Sequence, residues 1–169
     1  MAQITFITGG ARSGKSSYAQ KLAESQCENP IYLATARVWD EDFRQRIERH
    51  RQDRSPRWTT IEKEKNISEC SLDGQTVLLD CITLWMTNIF YDNEFKVDQS
   101  LEEAKAEWDQ FIQKDMNLIV VSNELGMGVH PTDESAREFA DLQGWMNQHI
   151  AQQANEVFLM ISGIPVKIK

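Results

Sequence analysis

Short apolar runs alternate with longer amphipathic stretches along this chain. The apolar runs predict a buried strand at residues 4–8, further strands at 31–34, 77–79, 118–121 and 157–161, and an edge strand at 166–168. Residues 58–61 predict another short strand. The amphipathic stretches predict helices over residues 16–26, 40–52 and 101–112, with a capping box of Ser100 and Glu103, and a long helix after Pro131. Continuous apolar strands that alternate with helices are typical of a mostly parallel sheet covered on both faces. The predicted fold class is therefore α/β.

Composition narrows the range of functions. The 169 residues contain no repeat and no long linker, which predicts one domain spanning residues 1–169. With 18 Lys and Arg against 26 Asp and Glu, the net charge of -8 argues against nucleic acid and anionic membranes as partners. No apolar run approaches the ~18 residues of a spanning helix, so membrane insertion is not expected. Cys27, Cys70 and Cys81 lack CxxC spacing, which predicts free thiols and a cytoplasmic location.

A glycine-rich segment follows the first predicted strand. Gly9, Gly10, Ala11, Arg12, Ser13, Gly14, Lys15 and Ser16 match the phosphate-loop pattern GxxxxGK[ST] at every required position. Glycines let the backbone curl so that several N–H groups face a phosphate, and the following helix adds the positive end of its dipole. Lys15 is expected to reach the β- and γ-phosphates of a nucleoside triphosphate, and the Ser16 hydroxyl to ligate Mg²⁺.

Asp80 directly follows the predicted strand at residues 77–79. It fits the acidic residue that holds Mg²⁺ in phosphate-loop enzymes. An aspartate at a strand end also serves as the N-cap of a following helix. The phosphate loop favours the metal interpretation, which makes Ser16 and Asp80 the predicted metal ligands.

The predicted helix over residues 40–52 carries a histidine among arginines. Phe43, Ile47 and His50 share one helical face, and arginines lie nearby at positions 46, 49, 51 and 54. These cations disfavour protonation, and a neutral imidazole beside guanidinium groups is suited to attack a phosphate. Alternatively, the segment is a solvated arginine-rich helix whose histidine only caps the core.

A second glycine-rich segment, residues 123–128, follows the apolar run at 118–121. In open α/β sheets, ligands bind beyond the carboxyl ends of the strands, which places this segment at the same rim as the phosphate loop. Glu124 is a candidate for orienting an attacking hydroxyl or contacting a second substrate. In the alternative interpretation, Asn123 and Glu124 cap backbone groups of a glycine turn.

Together these segments resemble the bifunctional adenosylcobinamide kinase / adenosylcobinamide-phosphate guanylyltransferase family of cobalamin biosynthesis. The resemblance runs nearly end to end and is carried by residues 8–16, 32–36, 46–51, 78–83, 121–128 and 162–167. A phosphate loop alone is generic. Three features in combination are specific to this family. They are the loop with Ala11 and Arg12, the single histidine of segment 46–51 (His50), and the Asn-Glu-x-Gly-x-Gly segment.

The resemblance implies a RecA-like phosphate-loop fold, a homotrimer and two activities on a corrinoid substrate. The first phosphorylates the aminopropanol hydroxyl of adenosylcobinamide with ATP or GTP. The second forms a guanylyl-histidine from GTP, releases pyrophosphate and passes GMP to adenosylcobinamide phosphate. Lys15 and His50 are then the catalytic residues. Beyond the phosphate loop, the implied nucleotide contacts are Ala34, Thr35, Ala36, Arg51, Gln52, Asp53, Arg54, Glu62 and Asp80.

The chain departs from the pattern of some members of this family in two respects. Some members carry two adjacent histidines where this chain has Arg49 and His50, and some have glutamate in place of Asp80. The chain contains no NKxD motif, so a preference for GTP rests on the resemblance alone.

Weak additional support for the homotrimer comes from apolar side chains at Trp85, Met86, Ile89 and Phe90.

The sequence is also compatible with two other functions. A simple small-molecule kinase shares the phosphate loop and needs arginines but no histidine nucleophile. A nucleotide-gated regulatory ATPase binds protein or nucleic acid, and the negative net charge disfavours the latter. His50 within its arginine cluster is the feature that separates the bifunctional enzyme from the simple kinase.

Overall fold

A computed structural model describes residues 1–38, 41, 44–45 and 55–169 of the chain. Most of the predicted helix over residues 40–52 lies outside this described part. The described strands are β1 (Gln3–Gly9), β2 (Ile31–Ala34), β3 (Thr59–Glu62), β4 (Thr76–Asp80), β5 (Asn117–Asn123), β6 (Glu156–Ile161) and β7 (Ile164–Lys167). The described helices are α1 (Lys15–Gln26), a short 3₁₀ helix (Ile67–Glu69), α2 (Ile82–Asp92), α3 (Val97–Phe111) and α4 (Glu134–Gln153).

The strands form one mostly parallel sheet in the order β3-β2-β4-β5-β1-β6-β7. Among the described strands, only β7 runs antiparallel, as a short edge strand beside β6. This arrangement confirms the predicted α/β class and the RecA-like phosphate-loop fold. Strand β5 lies between β1, which leads into the phosphate loop, and β4, which ends at Asp80.

The inner strands of the sheet are buried on both faces, since successive residues point to opposite sides and a core covers each side. Ile7, Leu78 and Ile119 share one core with α1, and Phe6, Leu79 and Val120 share the other with helices α2 to α4. The second core also contains the fully buried Trp85 and Trp108. Burying one Val, Leu, Ile or Phe side chain contributes roughly 1.5–3 kcal/mol. The apolar residues of the strands therefore stabilise the sheet against the helices.

The strand register brings the predicted site residues to one edge. Ala34 pairs with Glu62 on one side and with Asp80 on the other. Asp80 pairs in turn with Val121. Gly9 lies opposite Asn123 at the ends of β1 and β5. The phosphate loop, Asp80 and the segment after Asn123 therefore share the carboxyl edge of the sheet, where ligands of open α/β sheets bind.

Two expectations from the sequence are wrong. The capping box of Ser100 and Glu103 does not form, because α3 begins at Val97 and the Ser100 hydroxyl instead donates to Lys96 O at 2.7 Å. The side chains that gave weak support to the homotrimer (Trp85, Met86, Ile89 and Phe90) are buried in the core of the single chain. They are therefore not available as subunit contacts.

No described helix is both long enough and apolar enough to cross a membrane.

An ion-pair network ties the ends of β2 and β3 to the end of α2. Arg37 donates from Nε to Glu64 at 2.6 Å and from both terminal nitrogens to Asp92 at 2.8 and 3.1 Å. Lys65 bridges Asp92 at 3.3 Å and Glu103 at 2.9 Å. The hydrogen bond from Arg37 lowers the pKa of Asp92 to about 2, and Lys65 adds to this effect against the opposing effect of burial.

We expect Asp92→Asn to lower the free energy of unfolding by about 1 kcal/mol at pH 7, after allowance for solvent screening. The folded-state pKa of Asp92, about 2, lies below its ordinary value of 3.8. The contribution is therefore fully present above the ordinary value and is lost as the pH falls towards the folded-state value. Urea unfolding at pH 7 and pH 3 measures the difference, which should shrink at the lower pH.

A matched control for this variant is Glu102→Gln. Glu102 is an exposed carboxylate on α3 that makes no ion pair with the described residues. Its replacement should leave the stability unchanged at both pH values. An Asp92→Asn effect of the same size at pH 7 and pH 3 would contradict the ion-pair explanation.

Candidate functional site

Residues 10–14 form a curled loop between the end of β1 and the start of α1. Arg12 and Gly14 adopt left-handed backbone conformations with φ of 58° and 92°. The turn between β6 and β7 packs on this loop, where the Gly163 amide donates to Ser13 O at 2.9 Å. A Cβ atom at position 14 would lie 3.1 Å from Gly163 Cα. Glycine at position 14 meets both the dihedral angle and the close approach.

The first turn of α1 leaves backbone amides available for a ligand. Gly14, its N-cap residue, has no side chain that could accept from them, and the turn carries no acidic residue. Uncapped amides and the positive end of the helix dipole together favour an anion. The loop therefore has the local chemistry of an anion site.

Lys15 is buried beneath this loop, with 7% of its surface exposed. Its ammonium group donates to Gly10 O at 2.6 Å and lies 3.5 Å from Ser13 Oγ. Burial lowers the pKa of Lys15, while the nearby Cys81 and Asp80 act in the opposite direction. A buried ammonium group is stabilised by anionic partners, and a phosphate in the loop would supply them.

Asp80 ends β4 at the same edge, half-buried. The Tyr32 hydroxyl donates to Asp80 Oδ2 at 3.0 Å, and Oδ1 accepts no hydrogen bond from the described residues. The Ser16 hydroxyl and the Asp80 carboxylate offer oxygen ligands, the type that Mg²⁺ prefers. These two residues thus fit the predicted metal in ligand chemistry. Sequence reasoning missed Tyr32, whose place in a strand gave no sign of its hydroxyl partner.

Thr35 joins the ends of β2 and β4. Its buried hydroxyl donates to Cys81 O at 2.7 Å and accepts from Cys81 N at 3.0 Å. The Asn88 side chain donates to Thr35 O at 2.8 Å. The Thr35 side chain is thus engaged in fixing the strand ends. Of the other predicted contacts, Ala34 ends β2 beside Asp80, Ala36 lies two residues further along, and Glu62 is exposed at the end of β3.

The segment after β5 is attached directly to the phosphate loop. The Glu124 amide donates to Gly9 O at 2.9 Å. Glu124 Oε1 accepts from the Gly126 amide at 2.6 Å. This contact confirms the capping interpretation for one carboxylate oxygen, and the backbone contact holds Glu124 at the rim beside the phosphate loop.

Buried polar side chains hold the backbone of this segment. Thr83 Oγ1 accepts from the Asn123 amide at 3.0 Å, and the Asn147 side chain donates to Asn123 O at 3.1 Å. Ser122 and Gln143, both fully buried, complete the network with Asn147. Sequence reasoning missed these residues. Gln143 and Asn147 lie four positions apart among apolar residues of α4, and this spacing is a signal of a buried polar face.

Part of the predicted site lies outside the described residues. This part comprises the candidate nucleophile His50 and the predicted nucleotide contacts Arg51, Gln52, Asp53 and Arg54. The residues that the structure brings together are those of the phosphate loop, Asp80 and the strand ends beside it.

The fold and this site define the class of protein. A mostly parallel sheet, a phosphate loop with its buried lysine and an aspartate at a second strand end are the features of a phosphate-loop protein. The family model described as cobinamide kinase / cobinamide phosphate guanyltransferase matches residues 5–168. The chain belongs to this family.

Curated relatives match the chain over nearly its whole length. The bifunctional adenosylcobalamin biosynthesis protein CobU of Escherichia coli (strain K12) is 38% identical, with 98% of this chain and 99% of the relative covered. The bifunctional adenosylcobalamin biosynthesis protein CobP of Pseudomonas aeruginosa is 36% identical, with 96% and 95% covered.

A solved structure gives weaker similarity. The flagellar accessory protein FlaH from Methanocaldococcus jannaschii has a TM-score of 0.46 at 16% identity, covering 99% of this chain and 78% of that one.

We expect Lys15→Ala to reduce nucleotide turnover at least about 100-fold, because phosphoryl transfer depends on positioned positive charge. The fold should persist, since Lys15 belongs to neither of the two apolar cores. Steady-state nucleotide hydrolysis or transfer, together with thermal melting, measures both effects. Lys21→Ala, which removes an exposed lysine from α1, is the matched control and should behave like the native protein. Native turnover by a folded Lys15→Ala protein would rule out this loop as the catalytic phosphate site.

Proposed function

We propose that this protein converts adenosylcobinamide to adenosylcobinamide-GDP in two steps, as a kinase and then as a guanylyltransferase. The observation that carries the proposal is the buried Lys15 in an uncapped phosphate loop, within a chain whose family match spans residues 5–168. The curated relatives are named for adenosylcobalamin biosynthesis, which supports a corrinoid substrate.

In the kinase step, the aminopropanol hydroxyl of the corrinoid attacks the γ-phosphorus of a nucleoside triphosphate. The bond from this phosphorus to the bridging oxygen breaks, the nucleoside diphosphate leaves, and the hydroxyl proton passes to solvent. The first-turn amides of α1 and the Lys15 ammonium bind the phosphate oxygens and stabilise charge on the leaving diphosphate. Ser16 and Asp80 would hold Mg²⁺, which supplies further positive charge at the phosphates. The amides are fixed by the helix backbone, and Lys15 would exchange its hydrogen bond to Gly10 O for one to a phosphate oxygen.

In the guanylyl-transfer step, a neutral His50 imidazole attacks the α-phosphorus of GTP. A phosphorus–nitrogen bond forms and pyrophosphate leaves. A phosphate oxygen of adenosylcobinamide phosphate then attacks the same phosphorus, the phosphorus–nitrogen bond breaks, and the histidine is regenerated. Arginines near His50 in the sequence supply charge for the departing pyrophosphate.

GTP labelled at either the α- or the γ-phosphate tests the covalent step. We expect α-label to remain on the native protein and γ-label to leave with pyrophosphate. The bond should be acid-labile and alkali-stable, unlike a serine ester. His50→Ala should lose the α-label and guanylyl transfer, while kinase activity persists because that step needs no covalent enzyme intermediate.

The histidine control is His130→Ala, which should retain the label. Retained label in the His50→Ala protein would place the nucleophile on another residue. Failure of the native protein to take up α-label, with GTP and Mg²⁺ present and kinase activity intact, would favour the simple small-molecule kinase.

We also propose a homotrimer, which the resemblance supports. The exposed apolar side chains at Ile161, Ile164 and Val166, along the edge formed by β6 and β7, are available for subunit contact. Sedimentation equilibrium at micromolar concentration should give a mass near three chains of 19.5 kDa. A monomeric mass at that concentration would refute the trimer.

A cytoplasmic location completes the proposal. The three cysteines (Cys27, Cys70 and Cys81) are all free thiols, the state expected in a reducing compartment.

A further inference from the structure

A cleft of about 400 Å³ opens beside the phosphate loop. One wall is the segment of residues 125–131, referred to below as the 125–131 loop, and the other is the outer face of the first half of α4. The nucleotide chemistry described above uses none of the residues that line this cleft.

The cleft is joined to the phosphate loop through one residue. The Glu124 amide donates to Gly9 O at 2.9 Å, and the 125–131 loop begins at the next position. Consecutive Cα atoms are about 3.8 Å apart, so the start of this loop lies within a few ångströms of the phosphate-loop backbone. A substrate in the cleft would therefore reach the edge of the sheet where phosphate chemistry takes place.

The 125–131 loop presents apolar side chains to solvent. Leu125, Met127 and Val129 are 38%, 77% and 95% exposed, at alternating positions of one short segment. Single exposed apolar residues are common on protein surfaces, whereas a group of them beside a cleft marks a binding surface. This surface suits the edge or face of a large, partly apolar ligand.

The opposite wall is acidic. Glu134, Glu138 and Asp141 line it, and none of the three forms an ion pair with another described residue. The helix dipole accounts for Glu134, in the first turn of α4, but its effect does not extend to Glu138 and Asp141. Arg137 donates to the carbonyl oxygens of Pro131 and Thr132, which fixes the 125–131 loop against the helix.

We propose that this cleft binds the corrinoid substrate, an inference that rests on the proposed function. In adenosylcobinamide, the charge of cobalt(III) exceeds that of the corrin and adenosyl ligands, and no phosphate is present, so the molecule is a cation. Its macrocycle has apolar edges, and its amide side chains donate hydrogen bonds. The exposed apolar loop and the acidic wall complement these two properties. The same carboxylates repel nucleotide phosphates, which keeps the two substrates in separate sites.

Equilibrium dialysis with adenosylcobinamide tests the acidic wall directly. Corrinoids absorb visible light, so bound ligand is measured without turnover. The variant Glu138→Gln/Asp141→Asn removes two charges with little change of shape. We expect its dissociation constant for adenosylcobinamide to rise about tenfold, with the nucleotide dissociation constant unchanged. In the native protein, corrinoid binding should weaken as salt rises, and the double variant should lose most of this dependence.

Two controls separate the cleft from general effects of charge and surface. Glu28→Gln/Glu102→Gln removes the same charge from exposed positions away from the cleft and should bind the corrinoid like the native protein. Val129→Ser should weaken corrinoid binding through lost apolar contact, whereas Ile168→Ser, at another exposed apolar position, should not.

The outcomes distinguish this inference from the proposed function. Native corrinoid affinity and salt dependence in both cleft variants would overturn the inference, even if the native protein turns the corrinoid over. Absence of corrinoid binding by the native protein, with or without nucleotide, would overturn both. Corrinoid binding that depends on Glu138 and Asp141, without any phosphorylation or guanylylation, would leave the cleft in place and refute the proposed function.

Discussion

A positive charge with little access to water requires polar partners, and Lys15 carries such a charge at the centre of this site. The Gly10 carbonyl accepts from its ammonium group at 2.6 Å, and Asp80 offsets part of the cost of burial. The loop that supplies the carbonyl depends on the left-handed conformation at Gly14. Asp80 is held in turn by the Tyr32 hydroxyl. The loop and the strand ends around it thus surround one buried cation, and a bound phosphate would add the opposite charge.

Polar connections between elements distant in sequence hold the edge of the sheet together. Thr35 joins β2 to β4, and Thr83 and Asn147 fix Asn123 from two different helices. The backbone amide of Glu124, the next residue, donates to Gly9 O and so connects this segment to the phosphate loop. The phosphate-binding residues and the proposed corrinoid cleft are therefore held by the same set of hydrogen bonds, although they lie on separate surfaces.

The sequence predicted the fold where the signal was local and strong. The predicted strands match every described strand to within about two residues. For the inner strands the signal is strong because burial on both faces favours apolar side chains, whereas the edge strands β3 and β7 remain largely exposed. The phosphate loop followed from its spacing alone. The capping box at Ser100 failed because the α3 helix starts one turn earlier, and no local pattern distinguishes the two starts. Tyr32, Thr83 and Asn147 were missed because their partners come from other elements, so only the folded arrangement shows them.

The contact between the Gly163 amide and the Ser13 carbonyl has a consequence for the order in which the protein is made. Strand β1 and the phosphate loop leave the ribosome well before β6 and the turn that rests on the loop, which are synthesised about 150 residues later, roughly 8–30 s at ordinary translation rates. Until then β1 lacks one of its two neighbours in the sheet. The loop acquires this support only after Gly163 has emerged, so a nascent chain that stops short of this turn cannot hold a nucleotide in the native manner.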